Sequence, residues 1–465
     1  MPGPSAASRL TAALIERTVA GPGVDEAGAA LVGRAVADTV AVMLAGAHEP
    51  APVGLREALT PPPGPAFVVG VRGRTAPDHA ALLNGAAAHA LDFDDVCHSV
   101  KGHPSTVLVP ALLAVADRTA PTGRDLVDAY GVGLDVGAAV WSGFGPDHYA
   151  RGWHATSTVG VVAATAGVAR LLRLSAAQVG HALGVAASFA GGLRQNFGTD
   201  TKVLHAGIAA EGAVRACLLG AAGVTSEGAA LGGPLGMLHV LGAGDVEGAL
   251  GALAGPSVLT GRRGLNVKRY PCCYFAHRAV DAVLELPVPV PDDVAWIEVT
   301  VPPGSLSALK YDDPHTGLEG KFSGPYVIAA AMLQRELTLA DFTDAAVARP
   351  GVRELARRVR WSESPTPPLG AAEWQDGYAV VRVEHRDGRV DQTRVDVPRG
   401  HAQNPLDDHE IEAKFRSCTE HLLGTERAIR AARRLRTIAT AEDASTWSVD
   451  LDRHPEPPTE ESGSS

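Results

Sequence analysis

The stretch DEAGAALVGRAVADTVAVMLAGA, residues 25–47, decides the fold class of this chain. Its apolar side chains recur at intervals of three and four residues, for example at Val36, Val40 and Met43, and this spacing predicts an amphipathic helix. From about residue 77 to 250 similar segments follow one another between glycines and prolines, with no convincing strand signal. The sequence therefore predicts a mainly α protein with a large all-helical part.

The pattern changes after residue 285. Residues 296–301 alternate with period two, and residues 378–398 show β-branched alternation on both sides of Asp387-Gly388, which predicts a hairpin. A helical segment lies between these two strand signals, so we expect a separate α+β unit over about 265–400. The polar, proline- and serine-rich stretch 441–465 is predicted to be a disordered tail.

Composition excludes several classes of function. The 465 residues include 52 acidic and 41 basic side chains, a net charge of −11, so no global positive field exists to hold a nucleic acid. Five cysteines without a CxxC pair do not form a disulfide framework, which favours a reduced, cytoplasmic setting. The N-terminal residues lack the apolar core of a signal peptide. Because the longest uncharged apolar stretch, residues 155–169, is shorter than a bilayer requires, we expect no membrane contact.

The densest group of reactive side chains is HALDFDDVCHSVKGHPS, residues 89–105, with three carboxylates and three histidines. Such a group can act as general acid and base when burial shifts one partner's pKa. Alternatively, the run Asp92–Asp95 could hold Mg²⁺ and a diphosphate, although the next helical position offers no further carboxylate. A helix end followed by a surface loop is the ordinary structural interpretation of the same residues.

Four further segments contain candidate binding residues: GWHATST (152–158), GTDTKVLHAG (198–207), KRYPCCYFAH (268–277) and KFSGPY (321–326). The first places His154 at a predicted helix start, where backbone N–H groups attract anions. In the second, Lys202 opens an apolar helix and could point inward at an anionic substrate, or outward into solvent. Adjacent cysteines at 272 and 273 are poor zinc ligands, the five cysteines do not suit an iron–sulphur cluster, and no GxGxxG follows a predicted strand.

Taken in order, these segments resemble the MmgE/PrpD family, which includes 2-methylcitrate dehydratase, cis-aconitate decarboxylase and iminodisuccinate epimerase. The resemblance spans residues 8–436 and includes NGAAAHALDFDD, GHPS, EGKFSGPYVIAAAML and GHAQNPL followed by KF. It implies a large helical domain, residues 1–265 plus 405–440, and a smaller α+β lid domain, residues 266–404. It also implies an active site between the two, a homodimer, a small polycarboxylate substrate, and neither metal nor organic cofactor.

The resemblance also implies the roles of individual residues. His103 and His154 become the candidates for acid and base, Asp92 their orienting carboxylate, and Lys202 the anchor of a substrate carboxylate. The implied donors from the lid side are His277 and Tyr326. The two further implied substrate-binding residues are Lys268 and His205.

The expected function is a lyase or isomerase that moves a proton at a carbon next to a carboxylate. Val96 stands where the resemblance to cis-aconitate decarboxylase would require threonine, so dehydration of a 2-methylcitrate-like acid is placed first. Decarboxylation and epimerisation remain alternatives. An Mg²⁺-dependent diphosphate-processing enzyme and a catalytically silent binding protein are the alternatives of other classes.

Overall fold

The computed structural model describes residues 3–287 and 290–452, and this part of the chain is mainly α-helical, as predicted. Helix starts follow local signals: the Asp25 side chain accepts from Gly28 N, and capping boxes begin the helices after Thr122 and Ser175. The helices of the first part are α1 (Ala6–Ala20), α2 (Glu26–Gly46), α3 (Pro50–Leu59), α4 (Pro77–His89), α5 (Ser105–Thr119), α6 (Gly123–Ala150), α7 (Ala155–Leu171), α8 (Ala176–Phe189), α9 (Asp200–Ala221), α10 (Met237–Leu241) and α11 (Val246–Ala254).

Small residues allow the central helices to approach closely. A Cβ atom on Gly85 of α4 would lie 2.8 Å from the Cα of Gly207 on α9, and one on Gly160 of α7 would lie 3.0 Å from a methyl of Val107 on α5. Because a larger side chain at these positions would force the helices apart, the glycines set the spacing. The C-terminal end of α4 therefore lies beside the N-terminal end of α9.

A second core surrounds a four-stranded sheet in the order β6-β5-β7-β8. β5 pairs parallel with β6 and antiparallel with β7, and β7–β8 is the predicted hairpin. The short strands that precede this sheet are β1 (Pro63–Phe67), β2 (Arg74–Thr75), β3 (Val96–Cys97) and β4 (Leu265–Asn266), and the sheet itself contains β5 (Val294–Val301), β6 (Val359–Glu363), β7 (Ala379–His385) and β8 (Val390–Val395). Its helices are α12 (His277–Glu285), α13 (Gly317–Gly320), α14 (Gly324–Gln334), α15 (Asp344–Val347) and α16 (Pro350–Ala356).

The last two helices, α17 (Asp408–Leu423) and α18 (Thr425–Arg436), return to the helical core and pack on α2. The antiparallel pair β3–β4 was not expected in the helical region, where two residues are too few to give a period-two signal. β6 was also missed, because its residues alternate only partly between buried and exposed. The pair β3–β4 joins the loop after α4 to the segment that leads into the second core.

The prediction of a disordered tail over 441–465 is wrong for residues 441–452. A short 3-10 helix, Ala444–Ser448, packs against the helical core, where Trp447 is 1% exposed. Its indole Nε1 donates to Asp117 Oδ1 at 2.9 Å, and its ring meets Phe67 edge-on at 5.5 Å. The polar composition of this stretch predicts disorder because it gives little weight to one anchoring aromatic residue. The rest of the predicted tail, residues 453–465, lies outside the described part of the chain.

Helices α2 and α9 are long and apolar enough to cross a bilayer by length and composition alone. Most of the residues in both helices are nevertheless buried against other helices of the core. Burial inside the fold accounts for their apolar character.

The loop between α4 and α5 is fixed to the core by a buried carboxyl group. Asp95 is fully buried; its side chain accepts hydrogen bonds from the Ser105 hydroxyl and, at 3.3 Å, from Ser105 N, and the hydroxyl of Ser105 contacts the Tyr130 hydroxyl at 2.6 Å. Burial raises the pKa of Asp95 to about 7, because the hydrogen bonds from Ser105 oppose it only in part and the nearby carboxylates of Asp38 and Asp94 add to it.

We predict that Trp447→Ala lowers the free energy of unfolding by about 3–5 kcal/mol, the usual cost of removing a large buried aromatic side chain. Trp296→Ala is the matched control, because Trp296 is 42% exposed, and it should cost less than about 1 kcal/mol. Urea denaturation followed by circular dichroism measures both. Equal stability of the two variants would contradict the packing of residues 441–452.

We also predict that Asp95→Asn removes part of the pH dependence of stability. Between about pH 4 and 7 the folded protein retains a proton on Asp95 that the unfolded chain has lost, so this residue makes stability fall as pH rises through that window. The melting temperature of Asp95→Asn relative to wild type should therefore increase from pH 5 to pH 8. The exposed substitution Asp387→Asn should show no such trend, and a pH-independent difference for Asp95→Asn would exclude the assignment.

Candidate active site

A cavity of about 410 Å³ lies where the helical core meets the second core. The loop after α4, the starts of α7 and α9, and the segment after β4 supply its polar wall. Of the predicted site residues, five line the cavity: Asp92, His103, His154, Lys202 and Lys268. Three do not line it: His205, His277 and Tyr326.

Asp92 occupies a tight loop in which its backbone takes the left-handed conformation, with φ of 52°. Aspartate tolerates this region better than most residues because its short polar side chain can bond locally. Its Oδ1 lies 2.7 Å from Lys202 Nζ, its Oδ2 lies 3.1 Å from Lys268 Nζ, and its carbonyl accepts from Lys268 at 2.8 Å. Burial alone would raise the pKa of Asp92, but these two ammonium groups hold it well below its usual range.

Two more lysines bind the same loop, and the sequence interpretation gave neither of them a role. Lys321 donates to the Leu91 carbonyl, and Lys414 donates to the Phe93 carbonyl at 2.8 Å while pairing with Asp38 at 2.6 Å. The sequence around these two lysines mixes charged and apolar residues, and it does not say which way either side chain points. The ammonium cluster, as we call Lys202, Lys268, Lys321 and Lys414, therefore surrounds residues 91–93.

Burial affects these ammonium groups differently. It lowers the pKa of Lys321 to about 8, only partly opposed by Asp92 and Glu49. It would lower the pKa of Lys268 as well, but Asp92 and Asp94 raise it above its usual value. Lys268 thus stays charged across the physiological range, and an anion that enters the cavity meets a positive wall.

Asp94 holds two imidazole rings. Its Oδ2 lies 3.1 Å from His89 Nδ1 and 2.7 Å from His103 Nδ1, and the same His103 nitrogen is 2.8 Å from the Asp95 carbonyl. Burial would raise the pKa of Asp94, but His103 and His89 hold it well below its usual range. Burial lowers the pKa of His89 to about 3, so this ring is neutral. A carboxylate that fixes Nδ1 of His103 leaves Nε2 for proton transfer toward the cavity.

His154 is held by a second imidazole. Its Nδ1 lies 2.9 Å from Nδ1 of His205, so one ring donates and the other accepts. Burial, together with His89 and Lys202, lowers the pKa of His154 well below its usual range, which keeps the ring neutral. His205 itself does not line the cavity, and its contact fixes the orientation of His154.

The structure does not bring His277 or Tyr326 to the cavity. His277 is fully buried with its Nε2 3.3 Å from the Cys272 carbonyl, and burial lowers its pKa to about 3. The Tyr326 hydroxyl donates to the Asp341 carbonyl. A 3-10 turn after Cys273 is the reason for the first difference, because it leaves Cys273 at the cavity and turns His277 into the second core. The sequence gives no periodicity by which this turn could have been predicted.

The three carboxylates of the acidic run do not converge on one cation. Asp92 pairs with lysines, Asp94 with histidines, and Asp95 with Ser105. Within the described residues, His89, Asp94 and His103 form the group whose ligand atoms, all within 4.8 Å of one another, could hold a metal ion. Asp94 already accepts from both rings there, an arrangement that also orients an imidazole without a metal.

The sequence matches two family models in succession. The model of the MmgE/PrpD N-terminal domain matches residues 24–248, and that of the MmgE/PrpD C-terminal domain matches residues 270–437. The chain is 28% identical to cis-aconitate decarboxylase of Homo sapiens over 410 residues, 83% of this chain and 81% of the relative. It is 29% identical to cis-aconitate decarboxylase-like protein oryM of Aspergillus oryzae over 445 residues, 88% and 89% of the two chains. For cis-aconitate decarboxylase of Aspergillus terreus the identity is 26% over 392 residues, 77% of each chain.

Both family models match in the expected order, and together they cover most of the sequence. The protein belongs to the MmgE/PrpD family of lyases and isomerases.

Proposed function

We propose that this protein is a lyase that acts on a small polycarboxylate and uses its own side chains to move a proton at a carbon next to a carboxylate. One observation carries the proposal: Lys202 and Lys268, paired with Asp92, line the same cavity as the neutral ring of His154 and the carboxylate-held ring of His103. Positive donors and proton carriers together suit an organic acid with a weakly acidic carbon.

In this proposal the ammonium groups bind the substrate. Each ammonium has three donor hydrogens, and the bond from Lys202 to Asp92 uses one of them, so the remaining ones can reach a substrate carboxylate. When the adjacent carbon loses its proton, negative charge moves onto that carboxylate. Cations already in place stabilise this charge without reorganisation of the site.

His103 and His154 are the proposed proton carriers. Asp94 fixes the first ring and His205 the second through their Nδ1 atoms, and this leaves the Nε2 atoms for the reaction. In a dehydration the neutral ring removes the carbon proton, the other ring enters the reaction protonated and gives its proton to the departing hydroxyl, which leaves as water, and a carbon–carbon double bond forms. In a decarboxylation the carboxylate leaves as CO₂ and a protonated ring delivers its proton to the carbon that carried it.

Two reactions remain in the proposal. The position of Val96 at the cavity favours dehydration of a 2-methylcitrate-like acid, because a methyl group stands where the decarboxylase resemblance would require a hydroxyl. Decarboxylation is the second candidate, since the relatives described above are named cis-aconitate decarboxylases. Epimerisation requires the same proton transfer.

We further propose the domain division 1–265 plus 405–440 and 266–404, with the second domain as a lid. Contributions of the second core to the cavity, such as Cys273 and Phe322, support the lid. A homodimer is supported by large apolar side chains exposed on neighbouring helices, Phe189 at 40% and Ile208 at 47%. Cytoplasmic location remains part of the proposal, and the buried free cysteines suit it.

We predict that the purified protein converts one member of a panel of 2-methylcitrate, citrate, cis-aconitate and iminodisuccinate. Proton NMR in D₂O identifies the reaction, because loss of water, loss of CO₂ and deuterium exchange give different spectra. EDTA followed by Mg²⁺ should leave the rate unchanged. A requirement for Mg²⁺ would favour the diphosphate-processing alternative, and absence of any conversion would count against the proposal.

We predict that Lys202→Met lowers kcat/KM for that substrate about a hundred- to a thousand-fold, because it removes a cation from the developing charge. Lys310→Met is the matched control, since Lys310 is exposed and does not line the cavity. It should retain wild-type turnover. Circular dichroism confirms that both variants fold, and near-wild-type turnover of a folded Lys202→Met would overturn the role of this lysine.

A further inference from the structure

The cavity extends beyond the proposed catalytic residues to a second polar group. His98 lies in the middle of the loop between Asp92 and His103, Tyr274 begins the 3-10 turn, and Arg278 lies in the first turn of α12. All three side chains line the cavity. None of them takes part in the proposed proton transfer.

Two polar atoms of this group are buried without a hydrogen-bond partner. They are the Tyr274 hydroxyl, on a residue only 8% exposed, and His98 Nε2. The two rings lie 5.9 Å apart between centroids. An unsatisfied buried polar group is costly, so such atoms are rare in folded proteins unless a ligand or water meets them. Two of them at one cavity wall point to a ligand group.

The charge of this group indicates what kind of ligand it receives. The Arg278 guanidinium, on a residue 8% exposed, is held by bonds from Nε to the Asp396 carbonyl at 2.8 Å and from Nη2 to the Asp376 carbonyl at 3.0 Å. These bonds leave Nη1 available. The carboxylate of Asp376, which also lines the cavity, is already paired with Arg263 at 3.0 Å. The remaining charge at this end of the cavity is positive.

The surroundings of Arg278 are shaped to hold its guanidinium in place. Gly377 has φ of 131°, and a Cβ atom at this position would lie 3.0 Å from the guanidinium carbon of Arg278. A larger residue would therefore displace the group. Burial, with Arg278 and His401 nearby, lowers the pKa of His98 to about 4, so this ring is a neutral hydrogen-bonding group beside a fixed cation.

This second group is distinct from the ammonium cluster. The opposite charges that act on Arg278 are those of Asp376 and Asp396, whereas Lys202 and Lys268 both bind Asp92. The cavity thus has two positive regions.

We propose that His98, Tyr274 and Arg278 form a second anion-binding subsite of the cavity, which binds a carboxylate of the substrate remote from the reacting carbon. The inference rests on the proposed function, because it assigns a partner to one end of a polycarboxylate. The subsite favours the binding of acids with three carboxylates, or with two that are well separated, over the binding of short dicarboxylates. The reacting end of such an acid lies at the ammonium cluster.

The test compares the binding of tricarballylate, which has three carboxylates, with that of succinate, which has two on a shorter chain. Tyr274→Phe removes only the unpartnered hydroxyl, so the fold should be unchanged. We expect this variant to bind tricarballylate about tenfold more weakly by isothermal titration calorimetry, with succinate unaffected. Arg278→Gln should weaken tricarballylate further.

Tyr378→Phe is the matched control. Tyr378 lines the same cavity, but its hydroxyl already donates to the Ser364 carbonyl at 2.6 Å, so its removal should leave the ratio of the two dissociation constants unchanged. Unchanged binding of tricarballylate by Tyr274→Phe, or equal weakening of both acids, would overturn the subsite.

The result separates the subsite from the proposed reaction. If none of the panel acids is converted but the selective loss in Tyr274→Phe is seen, the subsite stands and the lyase proposal fails. If an acid is converted and Tyr274→Phe leaves both dissociation constants unchanged, the lyase proposal stands and the subsite fails.

Discussion

The structure depends on the binding of four buried ammonium groups to one short loop, residues 91–93. Each lysine of the ammonium cluster comes from a different part of the chain, and each contacts either a carbonyl of this loop or the Asp92 carboxylate. A buried charge is costly unless it is paired, and removing one member of a buried pair typically costs about 3–5 kcal/mol. The loop can therefore keep its left-handed Asp92 only while both cores are assembled around it.

The same arrangement explains why two imidazoles of the site, those of His89 and His154, are neutral. Cations and burial act together on His89 and His154 and lower the pKa of both rings. A neutral ring can accept a proton from carbon, and a neighbouring cation lowers the energy of the anion that this step creates. In the proposed reaction, positive charge therefore serves both the substrate's carboxylate and the protonation state of the side chains beside it.

Much of the fold could be predicted from the sequence because its signals are local. The spacing of apolar residues indicated α2 and the other long helices, and Asp387-Gly388 between alternating segments indicated the hairpin. Motif order, through the resemblance, indicated Asp92, His103, His154 and Lys202, all of which the structure brings to one cavity.

The remaining features depend on long-range packing. The inward direction of Lys414 is decided by Asp38, which lies near the other end of the chain. The turn that separates Cys273 from His277 is decided by contacts with the second core. Trp447 anchors a polar stretch through its indole ring. The average composition of that stretch does not reveal the effect of one aromatic residue. In each case the sequence shows which residue is present, but it does not show which way the side chain points.

The use of lysine in this chain has a consequence for its chemical reactivity. The sequence contains only six lysines, and the ammonium cluster accounts for four of them, all buried. The side-chain amines that an acylating reagent can reach are therefore essentially Lys310 and the partly buried Lys101. Acylation of lysine side chains would modify the folded enzyme at these two positions, while unfolding would expose four new sites to the same reagent.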